Sequence, residues 1–247
     1  MTSLKFYKRS NNDDTEIYDW AMYWAGSGGH INLVKRMLEK GAKEYNSVLE
    51  VAALDGHIDI VKLMLESGAD DVDSGLQEAS EGGHIDIVKF LLDKGAKNLS
   101  YALRAAAVGG HLDIVKLLVK RGAKSWDWGL EGGAISGNMD IVQFMLAKGA
   151  KDYNSALEEA AGYNHRDIVD LLLAKGAKGY YKALEYASFR GHIEMVKLFL
   201  ELIQERDGIQ KIYGIQPRWL YESLIVARRG KYEDVIKLLK EYGAEDE

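Results

Sequence analysis

The dipeptide Gly-His, or a close variant of it, returns every 27 residues, at Gly29-His30, Gly56-His57, Gly83-His84, Gly110-His111, Gly137-Asn138, Asn164-His165 and Gly191-His192. A second marker, Gly-Ala, keeps the same step at Gly41, Gly68, Gly95, Gly122, Gly149 and Gly176. Two independent markers on one period define a tandem array. Modules this short cannot bury an apolar face alone, so they must stack on their neighbours.

Between the markers each module reads as two short helices. In the segment from His57 to Ser67 the apolar residues Ile58, Val61, Leu63, Met64 and Leu65 follow helical rather than alternating spacing. Asp59 and its counterparts Asp86, Asp113, Asp140, Asp167 and Glu194 occupy the first turn of this outer helix, where a carboxylate meets the positive end of the macrodipole. Lys40, Lys94, Arg121, Lys148 and Lys175 sit in last turns, and Gly-Ala closes each helix with glycine in the left-handed conformation.

The inner helix is expected to start at a row of short polar residues, Asp19, Asn46, Asp73, Ser100, Asp127 and Asn154, read as N-caps; Tyr181 breaks the row. Counted from these caps, positions +2, +3, +6, +7 and +10 hold small residues or leucine and form one arc, the stacking face. Positions +1, +4, +5, +8 and +9 form the opposite arc, and there the repeats differ freely.

The pattern resembles the ankyrin repeat. The family's T-P-L-H-x-A-A-x-x-G-H-x-x-x-V-x-x-L-L-x-x-G-A is matched by residues 155–177, SALEEAAGYNHRDIVDLLLAKGA, and by their copies. The usual repeat is longer, about 33 residues. The roughly six residues lacking here fall between Gly-Ala and the inner helix, and the Pro and His of T-P-L-H are absent. Similar short-loop repeats look like those of large intracellular DNA viruses. The resemblance implies an all-α fold, an ankyrin-type solenoid of about eight helix-turn-helix repeats, with shortened loops in place of β-hairpin fingers. The expected organisation is a single solenoid over 1–247. Residues 1–42 cap the N-terminus, 43–205 are the regular repeats, and 206–247 hold an insertion and the C-terminal cap. The insertion runs from Glu205 to Pro217, and a last pair closes at Gly243-Ala244. With about 10 Å per stacked helix, the array would be about 70 to 80 Å long.

Composition narrows the chemistry. The chain has no cysteine, which removes disulfides, thiolate metal sites and cysteine nucleophiles. A net charge of −6 argues against a sequence-blind nucleic-acid binder. The polar N-terminus lacks the apolar core of a secretory signal, and no run is long enough to cross a bilayer. An intracellular, cytoplasmic location is expected, in the host cell cytoplasm if the chain is viral.

All six histidines are the repeat histidine. A ladder of equivalents about 10 Å apart cannot converge on one ion or one substrate, so their expected role is hydrogen bonding where the two helices of a repeat join. Asp70-Asp-Val-Asp73 lacks the glycine and glutamate of a calcium loop. Gly129, Gly132, Gly133 and Gly137 precede no Gly-Lys-Ser/Thr and give no phosphate loop. They mark a weak inner helix and a bend, so replacing Gly132 and Gly133 with alanine is expected to raise the melting temperature. Nothing resembles a catalytic constellation, and the chain is expected to be no enzyme and to need no cofactor or metal.

The variable arc is the expected binding surface, since proteins this chain resembles grip protein targets on the concave inner-helix face. It carries Trp20, Tyr23 and Trp24, then Val51 and Leu54, then Glu78 and Glu81. Tyr101, Arg104 and Val108 follow, then Trp128, Glu131 and Ile135, then Glu158, Glu159 and Tyr163. Tyr186, Phe189, Arg190, Arg228 and Arg229 complete it. Aromatic side chains interleaved with charge have the composition of an interface hot spot. Carboxylates in the middle and arginines at the C-terminal end suggest a partner with a basic central segment. The expected partner is a protein, with neither nucleic acid nor membrane, and the expected state is a monomer. Two alternatives remain: a self-associating scaffold that uses the Trp-rich first repeat, and a polyanion binder using the row Lys43, Lys97, Lys124, Lys151 and Lys178.

Overall fold

The computed structural model describes residues 14–206 and 216–245. Among them are sixteen helices and no strand. The chain divides into an N-terminal unit, 1–97, and a C-terminal unit, 98–247.

In the N-terminal unit the inner helices are α1 (Asp14–Ser27), α3 (Tyr45–Leu54) and α5 (Val72–Gly82), and the outer ones α2 (Ile31–Glu39), α4 (Ile58–Ser67) and α6 (Ile85–Asp93). In the C-terminal unit the inner row is α7 (Leu99–Val108), α9 (Trp126–Ser136), α11 (Tyr153–Gly162), α13 (Tyr180–Arg190) and α15 (Arg218–Gly230). Its outer row is α8 (Leu112–Lys120), α10 (Met139–Lys148), α12 (Arg166–Ala174), α14 (Ile193–Arg206) and α16 (Glu233–Glu241). Within each unit every inner helix packs on the next inner helix and on its own outer partner. This is the layered stack expected from the period. The expected insertion falls mostly on residues 207–215, outside the described residues; Glu205 and Arg206 belong to α14.

The core follows the residue arc. Leu49, Leu76, Leu103, Leu130, Leu157 and Leu184 are fully buried, as are Ala52, Ala79, Ala106, Ala160 and Ala187 beside them. Small side chains let the inner helices approach closely, and the leucines fill the space between layers. From the outer helices, Val61, Val88, Val115, Val142, Val169 and Val196 close the other side. The Gly-Ala glycines Gly41, Gly68, Gly95, Gly122, Gly149, Gly176 and Gly243 all have positive φ, the left-handed end expected of them.

The polar row from Asp19 to Asn154 does not cap its own helix. Asn46, Asp73, Ser100, Asp127 and Asn154 each lie one residue inside the helix start, and the positions before the helices are Glu44, Asp71, Asn98, Ser125 and Asp152. Their side chains reach the loop of the following repeat. Lys97 N–H donates to Asp73 at 2.6 Å, Lys151 N–H to Asp127 at 2.6 Å, and Lys178 N–H to Asn154 at 2.7 Å. Asn46 accepts from Asp70 N–H at 2.9 Å, and Asp19 accepts from the N–H groups of Lys43 and Glu44. These loops are mostly exposed, and the side chains satisfy their amides across the seam. Ser100 is too short for this and instead accepts from the Ser125 hydroxyl at 2.7 Å. The true caps include Asp71 and Asp152, which accept from Ser74 N–H at 3.0 Å and Ser155 N–H at 3.1 Å. Where Tyr181 breaks the row, α13 starts after Gly179 with no side-chain cap.

The histidines also act across seams. Nε2 of His57 lies 2.8 Å from Ser27 O, that of His84 2.9 Å from Leu54 O, and that of His165 3.1 Å from Ile135 O. A carbonyl only accepts, so Nε2 carries the proton. Each ring thus ties an outer helix start to the last turn of the inner helix of the preceding repeat, and not, as the sequence suggested, to the other helix of its own repeat. Asn138 takes the place of a histidine: its Nδ2 donates to Gly110 O at 3.0 Å, while its Oδ1 accepts from Ile141 N–H at 3.2 Å.

The glycines of α9 are a correction to the sequence reading. A Cβ on Gly132 would stand 2.7 Å from Ala107 Cβ and 2.9 Å from Arg104 O, and one on Gly133 2.9 Å from Ile141 Cγ2. These glycines are where α9 presses against α7 and α10. They cost helix propensity, but they permit a backbone approach that alanine would forbid.

Candidate functional site

The variable arc lies where the residues facing away from the stack lie, but it is narrower than expected. In some repeats position +5 packs against neighbours. Val51 is buried at 8% exposure, and Ala105 and Gly132 are buried too. Elsewhere in row +5 Trp24 is exposed and Glu78, Glu159 and Tyr186 are half-buried.

In the N-terminal unit the arc begins with an aromatic patch. Trp20 is 60% and Trp24 55% exposed, with ring centroids 6.1 Å apart, and Tyr23 meets Trp24 edge to face at 5.5 Å. Leu54 is half-buried and Glu81 is exposed. Burial pushes the Glu50 and Glu78 carboxyls up, helped at Glu50 by Asp71 and at Glu78 by Glu81 and Glu50. Glu50 is a row +4 residue absent from the sequence-based site.

In the C-terminal unit the arc holds more of the predicted residues together. Tyr101 and Trp128, both exposed, pair with centroids 5.3 Å apart. Beside them Arg104 makes an ion pair with Glu131 at 2.7 Å. A depression of about 380 Å³ is lined by Arg104, Ile135, Glu159, Tyr163, Glu185, Tyr186, Phe189, Arg190 and Val226. Helices α7, α9, α11, α13 and α15 each contribute to it. The predicted Val108, half-buried, and Arg228, exposed, do not line it. Glu158 lies next to Glu159 on α11, and burial pushes both carboxyls up. Neighbouring carboxylates push further, Glu131 acting on Glu159, and Asp152, Glu159 and Glu185 on Glu158. Lys182 opposes the shift at Glu158, and Arg190 and Arg104 oppose it at Glu159.

The nearby cations are already engaged. The Arg190 guanidinium lies 3.9 Å above the centre of the Tyr163 ring, and Lys182 pairs with Glu185 at 2.7 Å. A second depression of about 480 Å³ shares Phe189 and Arg190 and adds His192, Arg229, Gly230 and Tyr232. Burial lowers the pKa of His192, against the raising effect of its bond to the Gly162 backbone.

Sequence reasoning passed over Glu185, Val226 and Tyr232. Glu185 shares row +4 with Glu131 and Glu158 and was legible there. Val226 and Tyr232 lie beyond the break in the 27-residue step, where no marker fixes the register.

Among the described residues no group of three or more His, Asp and Glu side chains is placed to hold a metal ion. No described helix is long and apolar enough to cross a membrane. The arrangement offers shape, exposed rings and fixed charge to a second macromolecule.

An ankyrin-repeat family model of three copies matches residues 71–127, and a second, of many copies, matches 49–92. No curated protein matches the chain.

Proposed function

We propose, from the matches over residues 71–127 and 49–92 to ankyrin repeats, a class of module that generally mediates protein–protein interaction, that the chain is a non-catalytic intracellular module that holds a protein partner on its inner-helix face. The observation that carries this reading is the depression in the C-terminal unit. It gathers Arg104, Ile135, Glu159, Tyr163, Tyr186, Phe189 and Arg190 from separate repeats. Phe189 is 57% exposed beside it. A large exposed ring next to a depression has the form of an interface anchor.

The test is affinity capture from a cell lysate with the wild-type chain and with a Trp128→Ala, Tyr163→Ala, Phe189→Ala variant. A protein retained by the first and lost by the second places the partner on this face. Retention by both moves the site to the loops or outer helices and defeats the reading.

The aromatic patch of α1 favours a second reading, self-association through the first repeat. Ile17, Trp20 and Trp24 are each more than half exposed, an apolar area usual at contacts and unusual on a free monomer. Light scattering that shows a dimer dissolved by Trp24→Glu would establish it; a monomer at all concentrations would remove it.

A further inference from the structure

The two depressions of the C-terminal unit share Phe189 and Arg190, so Phe189 stands between them. They differ in charge. The first contains Glu159 and Glu185, and its cations are occupied: Arg104 on Glu131, Arg190 over the ring of Tyr163. Among the described residues Glu159 has no ion-pair partner. Tyr186 lies alongside it: burial raises the pKa of its hydroxyl, and the carboxylates of Glu159 and Glu158 raise it further. The second depression contains Arg190, His192 and Arg229 and no carboxylate.

An unpaired carboxylate beside an aromatic ring suits a guanidinium, which is weakly hydrated, planar and able to stack while it donates. Arg190 over Tyr163 shows the same pairing made internally. A cationic depression with Phe189 at its rim suits a carboxylate. We propose that this face takes an extended protein segment in which an arginine and a carboxylate flank an apolar side chain. The arginine enters beside Glu159, the apolar side chain lies on Phe189, and the carboxylate meets Arg229. Glu159 on α11 and Arg229 on α15 stand two inner-helix steps apart, about 20 Å, so an extended chain advancing about 3.3 Å per residue places the two charges about six residues apart. This rests on the protein-docking reading above and adds the chemistry of the partner.

The test pans a displayed library of random linear peptides on the full chain, then measures labelled enriched peptides against variants. The expected result is enrichment of peptides with arginine and an acidic residue about six positions apart and an apolar residue between them. Their affinity should fall about tenfold in Glu159→Gln and in Arg229→Gln, and binding should be lost in Phe189→Ala. Circular dichroism melts of the three variants show that each is folded. Peptides that need Phe189 but bind both charge variants at full affinity overturn the proposal while leaving the docking face intact. Peptides indifferent to Phe189→Ala, or no enrichment over a surface coated with an unrelated protein, also overturn it. The lysate experiment then decides separately whether any protein is held.

Discussion

Asp127 shows what a single side chain does in this array. Its Oδ1 accepts from Lys151 N–H at 2.6 Å and from Asp152 N–H at 3.0 Å, both in the next repeat. Asp127→Ala leaves two loop amides to water and should lower stability by about 1–2 kcal/mol in chemical denaturation. Asp127→Asn should recover most of the loss, since Asn46 and Asn154 make the same contact elsewhere. Equal losses for Ala and Asn would contradict the bond. Further along α9, Gly132→Ala should destabilise by about 1–3 kcal/mol, because its methyl would strike Ala107 and the Arg104 carbonyl. A higher melting temperature would restore the propensity argument.

At the scale of the element, α11 carries two carboxyls whose native pKa values lie above the ordinary 4.5. The folded chain holds these protons more tightly than the unfolded chain. Their contribution to stability is therefore full below the ordinary value and is lost as pH rises through the raised native values. The double variant Glu158→Gln, Glu159→Gln should melt above the wild type at neutral pH, and the gap should close as pH falls toward 4.5. A constant gap, or a wild type that melts higher at neutral pH, would show that these carboxylates are not strained by burial.

The inner helices also show how far the sequence could be read. The stacking face was legible because size alone marks it: alanine, glycine and leucine recur at fixed offsets. The role of Asp19, Asn46, Asp73, Asp127 and Asn154 was not, because each satisfies amides 24 or 25 residues on, and local capping rules look only three residues ahead. Gly132 was misread because helix propensity counts the cost within one helix and not the backbone of the neighbour it admits. The burial of Val51 and the gathering of Glu159 with Ile135 and Phe189 depend on how each helix is rotated against the next, and a period does not state that angle.

At the scale of the whole molecule, the two units are each held by seams of one design: a polar side chain reaching a loop, a histidine or asparagine reaching a helix end, and leucine between layers. Each seam involves only adjacent repeats, so stability is a sum of nearest-neighbour terms. Asp19→Ala and Asp127→Ala, at seams far apart in sequence, should have additive effects within about 0.5 kcal/mol. Asp127→Ala and His165→Ala, which weaken the same seam, should depart from additivity. The measurement is a double-mutant cycle in chemical denaturation, and coupling between the distant pair would reject the nearest-neighbour picture.

The seam bonds have a direction. Asp19, Asn46, Asp73, Asp127 and Asn154 reach forward to the next loop, and His57, His84 and His165 reach back to the repeat before. Duplicating or excising in frame a 27-residue copy that carries both groups therefore leaves its seams matched, and an array of this kind can lengthen or shorten without inventing new contacts. The repeats of α7 and α13 hold Ser100 and Tyr181 in place of the forward Asp or Asn, and the repeat of α9 departs further. Its Gly132 fits the backbone of α7, and its Asn138 replaces a histidine, so it is matched to one neighbour and should be the copy least free to move along the array.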